Sequence, residues 1–514
     1  MSAHTAVPPH SRGRIAAAAL LYALFVVYGS LIPFDWRPQA TADALAAFEA
    51  IPYLELGVAS RADWVANILL YIPLSFLWSA ALAIGRRPWV AAISASVVAI
   101  GCVALAFAIE FAQLYFPPRT VSQNDLIAET IGTALGIALW FAAGPKLFAL
   151  WRGFLRGGTG AHRSFLALFV LAYLALSFFP YDLLVSSAEL RDKLANPDVA
   201  TWGVAGSCGG ALACSVKLGT ELLLAMPIGA LLAWAVPSLR VPAAFLVGLA
   251  LGLVIEGGQL LLASGVSQGV SLLTRALGVA WGLALQHTLR FELIERHARA
   301  LRAAVLAATP LYLAVLAGLN GFAGRLEPTW AAAEKLRATR FMPFYYHYFT
   351  TETAAMWSLL ANAAAYAPVG IGLWLLRPRA ARAGLAAVAA AAVALAIETL
   401  KLFVAGAKPD PTNVLIAAAG AALVHAALVR LAARTAAPRA ACGAAAPPAA
   451  ASPARGARAM HHRQRAARRL AWAGAVTAAT LIGIGALRAT PHAEKPADES
   501  ALPQLPPGEA LPPA

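Results

Sequence analysis

Long apolar segments separated by short polar ones dominate the chain. Each is about 20 residues long, the length that an α-helix needs to cross the hydrocarbon core of a bilayer. The thirteen segments span residues 15–34, 63–84, 88–114, 124–143, 163–180, 215–236, 240–263, 268–287, 302–323, 355–376, 383–405, 412–430 and 469–487. This pattern predicts an all-α, polytopic integral membrane protein with about 13 transmembrane helices.

The composition agrees with a membrane protein and argues against a nucleic-acid partner. Of the 514 residues, 60% are apolar and 13% are charged, whereas soluble domains carry about 25% charged residues. The net charge of +15 would suit nucleic-acid binding, but Lys and Arg concentrate at the ends of the apolar segments, where membrane topology requires them. We therefore expect no nucleic-acid partner.

The distribution of basic residues predicts the orientation of the chain. If the N-terminus is cytoplasmic, 25 of the 40 Lys and Arg residues lie on inner segments and 12 on outer ones. The positive-inside rule therefore predicts a cytoplasmic N-terminus, and an odd number of spans then places the C-terminus outside. Residues 431–468 are rich in Ala, Pro and Arg, which predicts a disordered basic linker before the final span, 469–487. The Pro-rich, acidic composition of residues 488–514 predicts a disordered tail.

Polar and helix-breaking residues recur in three four-span units: unit 1 (residues 15–143), unit 2 (163–287) and unit 3 (302–430). The second span of each unit contains a proline, the third a glutamate and the fourth one or two packing glycines. These are Pro73, Pro227 and Pro368; Glu110, Glu256 and Glu398; and Gly132/Gly136, Gly278/Gly282 and Gly420. Because each unit has an even number of spans, we expect three parallel tandem repeats plus one extra C-terminal span.

Unit 1 resembles the VanZ-like family in the residues that follow this pattern. It contains Ser30, Pro33, Phe34, Asp63, Asn67, Pro73, Glu110, Gln113, Arg119, Asp125, Gly132 and Gly136, and departs from the family at Ser75 and Glu129. Unit 2 has Gly265 and Ser271 at the positions of Arg119 and Asp125, and unit 3 has Lys401 at that of Gln113. The resemblance implies tandem VanZ-like domains in a bacterial cell-envelope protein of the cytoplasmic (inner) membrane, associated with resistance to the antibiotic teicoplanin.

Polar residues of unit 1 gather at the outer ends of its second, third and fourth helices. Residues three or four apart share a helix face, and ionisable groups inside a membrane are costly unless they are paired or wetted, which favours a functional site. The candidate binding residues are Asp63, Asn67, Glu110, Gln113, Arg119, Asp125 and Glu129.

A structural role is the alternative for the same positions. Arg119 could pair with Glu110 or Asp125 and lock the outer loop. In unit 2, Glu221 and Arg275 replace Asn67 and Glu129, which predicts a contact between opposite charges on two helices. In unit 3, we expect Glu398 and Lys401 to pair on one helix face.

The first functional hypothesis is a protein that binds a surface lipid or a lipid-linked glycan precursor at an outer-leaflet site, with membrane lipids as its partners. The alternatives are a transporter or flippase that relays protons, an enzyme acting on lipid-linked envelope precursors, and a scaffold. No recognised nucleophile, metal motif or cofactor motif accompanies the carboxylates, so we predict no catalytic residue, metal or cofactor. The oligomeric state and a disulfide between Cys208 and Cys214 stay open.

Overall fold

The structure is a computed structural model that describes residues 9–55, 57–117, 119–156, 161–196, 199–202, 211–288, 296–322, 324–376 and 382–432. The predicted linker beyond residue 432, the final span, the tail and Cys208 lie outside these residues. The regular secondary structure of the described part is helical, apart from isolated bridges and one parallel pair of two-residue strands, β1 (Ala200–Thr201) and β2 (Ser267–Gln268).

Unit 1 contains four long helices and one short helix in the loop that follows its first long helix. They are α1 (Pro9–Leu31), α2 (Thr41–Glu49), α3 (Val58–Ala83), α4 (Pro88–Gln113) and α5 (Gln123–Arg156). Pro88 begins α4, where its fixed φ suits the first turn and its missing N–H costs nothing. Helix α5 continues well past its predicted end at residue 143. Hydropathy locates only the apolar part of a helix, and the last turns of α5 contain the basic residues Lys146, Arg152 and Arg156.

Units 2 and 3 contain the same succession of long helices, with short helices in the loops that follow their first long helices. Unit 2 has α6 (Ala161–Ser177), α7 (Ser187–Ala195), α8 (Ala211–Ala235), α9 (Val241–Gln259) and α10 (Gly269–Thr288). Unit 3 has α11 (Ala298–Leu319), α12 (Thr329–Ala338), α13 (Tyr345–Tyr348), α14 (Glu352–Leu376), α15 (Ala383–Lys401) and α16 (Thr412–Ala432).

The apolar surface of these helices confirms an all-α polytopic membrane protein. Within the described residues, ten helices are long and apolar enough to cross a membrane; α6, with 17 residues, and α10 are not among them. Only 11–33% of the most apolar 18-residue window of each of the ten is buried. Side chains such as Ile100 and Leu423, both 71% exposed, therefore face outward, which suits lipid rather than water. The predicted total of 13 spans stays a prediction.

Glycines bring the second and fourth long helices of each unit into close contact. A Cβ atom on Gly136 of α5 would fall on the hydroxyl of Ser75 and the carbonyl oxygen of Ile72 in α3. A Cβ atom on Gly282 of α10 would likewise fall on the carbonyl oxygen of Met226 in α8. The small-residue packing predicted from these glycine pairs is present, since backbones can approach this closely only where no side chain intervenes.

Polar contacts join unit 1 to the segments between the first and second long helices of units 2 and 3. The guanidinium of Arg61 on α3 binds both carboxylate oxygens of Glu189 on α7, at 2.8 and 2.9 Å. These hydrogen bonds are the main reason that the pKa of Glu189 falls from its usual value to about 2. The hydroxyl of Tyr28 on α1 donates to the carbonyl of Pro343, 2.7 Å away in unit 3.

Replacing Gly136 with alanine should destabilise the protein by about 1–3 kcal/mol, because the new methyl group overpacks the α3–α5 contact. Gly101→Ala is the matched control, since Gly101 lies within α4 and nothing is within 4 Å of the added Cβ. Thermal unfolding of both variants in nanodiscs measures the difference. Equal unfolding temperatures for Gly136→Ala and the wild type would contradict the close packing.

Replacing Glu189 with glutamine should lower the unfolding temperature at neutral pH and have no effect in strong acid. A carboxylate whose pKa is lowered in the folded state stabilises that state above its unfolded pKa. This stabilisation disappears as the pH falls from about 4.5 to about 2. A pH series of thermal unfolding measures it, with Glu334→Gln on the outer helix α12 as control. A wild-type advantage that persists at pH 2 would contradict the role of the Arg61–Glu189 pair.

Candidate functional site

In each unit, a buried glutamate near the end of the third long helix holds the loop that leads into the fourth. Its carboxylate accepts a hydrogen bond from a backbone N–H group twelve residues further along the chain. The pairs are Glu110 with Ser122, Glu256 with Gln268 (2.5 Å) and Glu398 with Asp410 (2.8 Å). This contact gives the three glutamates a structural task, whatever else they do.

A glutamine one turn after the glutamate holds the end of the first helix in units 1 and 2. Gln113 donates its amide N–H to the carbonyl of Ser30 at 2.8 Å, and Gln259 donates to the carbonyl of Ser177 at 2.6 Å. Carbonyls at a helix C-terminus lack intrahelical donors, so these amides satisfy them. Lys401 occupies this position in unit 3 and binds Glu398 at 2.7 Å, which confirms the predicted pair on one helix face.

Asp125 connects α3 with the start of α5 in unit 1. One carboxylate oxygen accepts a hydrogen bond from the amide of Asn67 at 2.7 Å, and the other accepts one from the hydroxyl of Ser122 at 2.7 Å. Glu129 follows one turn later on α5 and is only 3% exposed. It lies beside the hydroxyl of Tyr71 on α3, and its Oε2 atom makes no hydrogen bond.

Arg119 binds the end of α1 rather than a carboxylate. Its guanidinium donates to the carbonyl oxygens of Ser30 and Gly29, each at 2.7 Å, and its Cζ atom lies 4.9 Å from the ring centroid of Tyr348 in unit 3. Arg119 thus holds its loop through backbone carbonyls and a cation–π contact, whereas the structural alternative predicted from the sequence was a pair with Glu110 or Asp125.

In unit 2, the predicted contact between opposite charges is present and includes a third residue. Arg275 on α10 lies 3.6 Å from Glu221 on α8 and forms a hydrogen-bonded ion pair with Glu256 on α9. One guanidinium thus balances glutamates from two other helices, as a charge buried in a low-dielectric interior requires.

The seven predicted site residues of unit 1 divide into a rim and an interior. We define the rim as Asp63, Asn67, Arg119 and Asp125, of which Asp63 is exposed and the other three are half-buried. The interior consists of Glu110, Gln113 and Glu129, which are all buried. The rim and the interior adjoin at Asp125, whose charge interacts with those of both glutamates.

Aromatic rings lie next to Arg119 of the rim, whose backbone N–H group donates to the carbonyl of Phe116 at 2.8 Å. Trp36 is 56% exposed and stacks on Tyr115, with 4.8 Å between the ring centroids. Phe116 contacts the edge of the same indole at 5.4 Å. Reasoning from motifs missed these rings, as well as Tyr71 and Ser122. The sequence did contain a signal for Tyr71, because it lies four residues after Asn67 and Tyr366 lies four residues after Asn362 in unit 3.

The described carboxylates do not form a metal site. No group of three or more His, Cys, Asp or Glu side chains among the described residues could hold a metal ion. The interior of unit 1 therefore brings together acidic oxygens that are close enough to interact electrostatically but are not arranged around a common point.

The fold and the polar positions define a polytopic helical membrane protein whose first four long helices carry a cluster of ionisable residues at one end. Residues 17–148 match the family model VanZ/LLP1, and this part of the chain is a VanZ-like domain. Neither the comparison with curated proteins nor the comparison with solved structures finds a match.

Replacing Arg275 with methionine should destabilise the protein by about 3–5 kcal/mol, because it leaves the buried Glu256 without a counter-charge, whereas Glu221 keeps Lys217 at 3.9 Å. Adding Glu256→Gln should restore part of the stability. Glu129→Gln is the matched control, because Glu129 holds the corresponding position in unit 1, and we expect it to cost less than about 1 kcal/mol. Thermal unfolding in nanodiscs measures all three; an equal cost for Arg275→Met and Glu129→Gln would contradict this account of unit 2.

Proposed function

We propose that units 2 and 3 are further copies of the VanZ-like domain of unit 1. Repeated hydrogen bonds support this proposal beyond the twelve-residue contact of the buried glutamates. In each unit, a backbone N–H group after the first helix donates to a carbonyl just after the third. The pairs are Arg37 with Tyr115 (2.8 Å), Leu184 with Leu261 (2.9 Å) and Glu327 with Phe403 (2.8 Å). Similar hydrogen bonds at corresponding positions are expected of duplicated domains.

The activity that we propose is binding, at the rim of unit 1, of the polar head of a surface lipid or lipid-linked glycan precursor. The observation that carries this proposal is the composition of the accessible part of the cluster. Asp63 and Asp125 offer carboxylate acceptors, Asn67 an amide and Arg119 a cation. The exposed indole of Trp36 contacts Phe116, whose carbonyl accepts a hydrogen bond from the backbone N–H group of Arg119. A few fixed polar groups next to aromatic surface are typical of sites that orient a small polar ligand.

The rim suits a headgroup rich in hydroxyl or amine groups better than a bare phosphate. Two nitrogen atoms of Arg119 already donate to the carbonyls of Ser30 and Gly29, which leaves part of its guanidinium for a ligand. Asp63 and Asp125 add negative charge, which attracts amines and repels phosphate. Arg119 would then align one anionic group of the ligand while the carboxylates receive hydroxyl or amine donors.

The location that we propose is the outer leaflet of a bacterial cytoplasmic membrane, with the N-terminus inside. The excess of Lys and Arg on the opposite side of unit 1 supports this orientation. Binding of a cell-wall precursor at the outer leaflet would connect the protein with the glycopeptide resistance that the family resemblance implies.

The proposal predicts that Asp63→Asn and Trp36→Ala each lower the amount of a specific lipid that co-purifies with the protein. We expect a loss of about fivefold or more, which corresponds to about 1 kcal/mol of binding free energy. Lipid mass spectrometry on the full chain in native-membrane nanodiscs measures this amount. Trp202→Ala is the matched control, because Trp202 is an 88% exposed tryptophan in unit 2.

The same lipid profile in the wild type, Asp63→Asn, Trp36→Ala and the control would overturn the proposed binding site. A labelled form of the identified lipid then separates the alternatives. An enzyme converts it, a flippase moves it to the other leaflet, and a binding protein holds it without either change.

A further inference from the structure

The buried glutamate of the third long helix has a cationic partner in units 2 and 3. Glu256 is paired with Arg275 from the fourth long helix, and Glu398 is paired with Lys401 three residues later on its own helix. These two units use different positions for the cation but reach the same result. In each of them a carboxylate that is nearly inaccessible to solvent is balanced by a bound positive charge.

Unit 1 has a cation at neither of these positions. Glu129 stands where unit 2 has Arg275, and Gln113 stands where unit 3 has Lys401. Arg119 is close enough to interact with Glu110, but its guanidinium is directed to the carbonyls of Ser30 and Gly29. None of the ion pairs between described residues includes Glu110 or Glu129.

The two glutamates of unit 1 also have hydrogen-bonding capacity that the protein does not use. Glu110 is 2% exposed and Glu129 is 3% exposed. The Oε2 atom of each has no hydrogen-bond partner in the structure, and each is buried. An ionised carboxylate with an unsatisfied oxygen in a low-dielectric interior is strongly disfavoured, and two neighbouring ones still more.

The groups that face this pair cannot supply the missing charge. From α3 comes the hydroxyl of Tyr71, from α4 the thiol of Cys102 and from α5 the carboxylate of Asp125. On α1, the hydroxyl of Tyr22 donates to the carbonyl of Leu70. The ionisable residues of the other helices that contact unit 1 have other surroundings. Asp43 and Glu49 of α2 are exposed, Glu189 of α7 binds Arg61, and Tyr348 of α13 contacts Arg119. The beginning of α6 packs near the C-terminal end of α5.

We propose that Glu110 and Glu129 form a proton-binding site, so that unit 1 holds a proton where units 2 and 3 hold Arg275 and Lys401. A proton is the cation that fits, because the closed interior admits no headgroup and the described acidic side chains form no metal-binding group. Gain or loss of a proton at this pair changes the charge next to Asp125, the rim residue that interacts electrostatically with both glutamates. The proposal does not depend on what the rim binds.

Infrared spectroscopy of the full chain in nanodiscs tests the site without any ligand. We expect the wild type at neutral pH to show the C=O stretching band of a protonated carboxyl group that shifts in D2O, which lipid esters do not. The double variant Glu110→Gln/Glu129→Gln should lose this band. Glu398→Gln is the matched control, because its carboxylate is balanced by Lys401, and it should keep the band.

A variant that introduces the arginine of unit 2 into unit 1 provides a second test, in which the charge of the buried glutamate stays balanced. Glu129→Arg gives unit 1 the residue that unit 2 has at this position, so Glu110 should become ionised and paired as Glu256 is. We expect this variant to fold and to lose the protonated-carboxyl band. In the wild type, the folded state holds a proton that the unfolded state releases, so the unfolding temperature should fall as the pH rises. The variant should lose this decrease.

A wild-type spectrum without a D2O-sensitive protonated carboxyl band at neutral pH would overturn the proposal, whether or not any variant folds. So would a band that survives in a folded Glu129→Arg variant or in the folded double variant. Each of these outcomes is independent of lipid mass spectrometry, so the proton site and the lipid site can fail separately.

Discussion

A glutamate buried at the end of the third long helix in each four-helix unit determines much of the surrounding structure. Its carboxylate accepts a hydrogen bond from the N–H group of a residue just before the fourth helix. The same burial makes its charge costly. Arg275 and Lys401 are two ways to balance that charge. The absence of either partner from unit 1 is what distinguishes the unit with the most complete set of family residues.

Features encoded within one helix could be predicted from the sequence, whereas features that depend on loops could not. Apolar length located the spans, the spacing of Gly132 and Gly136 predicted a packing face, and the three-residue spacing of Glu398 and Lys401 predicted their ion pair. Arg119 lies in the loop between α4 and α5, so its side chain could reach several partners. The backbone carbonyls of α1 that it binds are present whatever the residue type, so the sequence does not mark them. The contact of Glu110 with Ser122 was hidden for the same reason.

The division of the site into a rim and an interior follows from what covers each residue. Asp63 lies near the beginning of α3 and is exposed, whereas Glu129 lies a similar distance into α5 and is covered by Tyr71. Residues at a similar distance from the start of their helices thus differ in access to water, because a neighbouring side chain covers only one of them. Asp125, half-buried between Asn67 and Ser122, belongs to both layers.

The two ways of balancing the glutamate have different consequences for the order in which the chain enters a membrane. Helix α15 carries Glu398 and Lys401 together, so it can leave the translocation channel as an already neutral segment. Helix α9 carries Glu256 alone and obtains its counter-charge only when α10 arrives with Arg275. Insertion of unit 2 is therefore coupled between two successive helices, because until α10 follows, α9 carries a carboxyl group whose charge is unbalanced and costly in lipid.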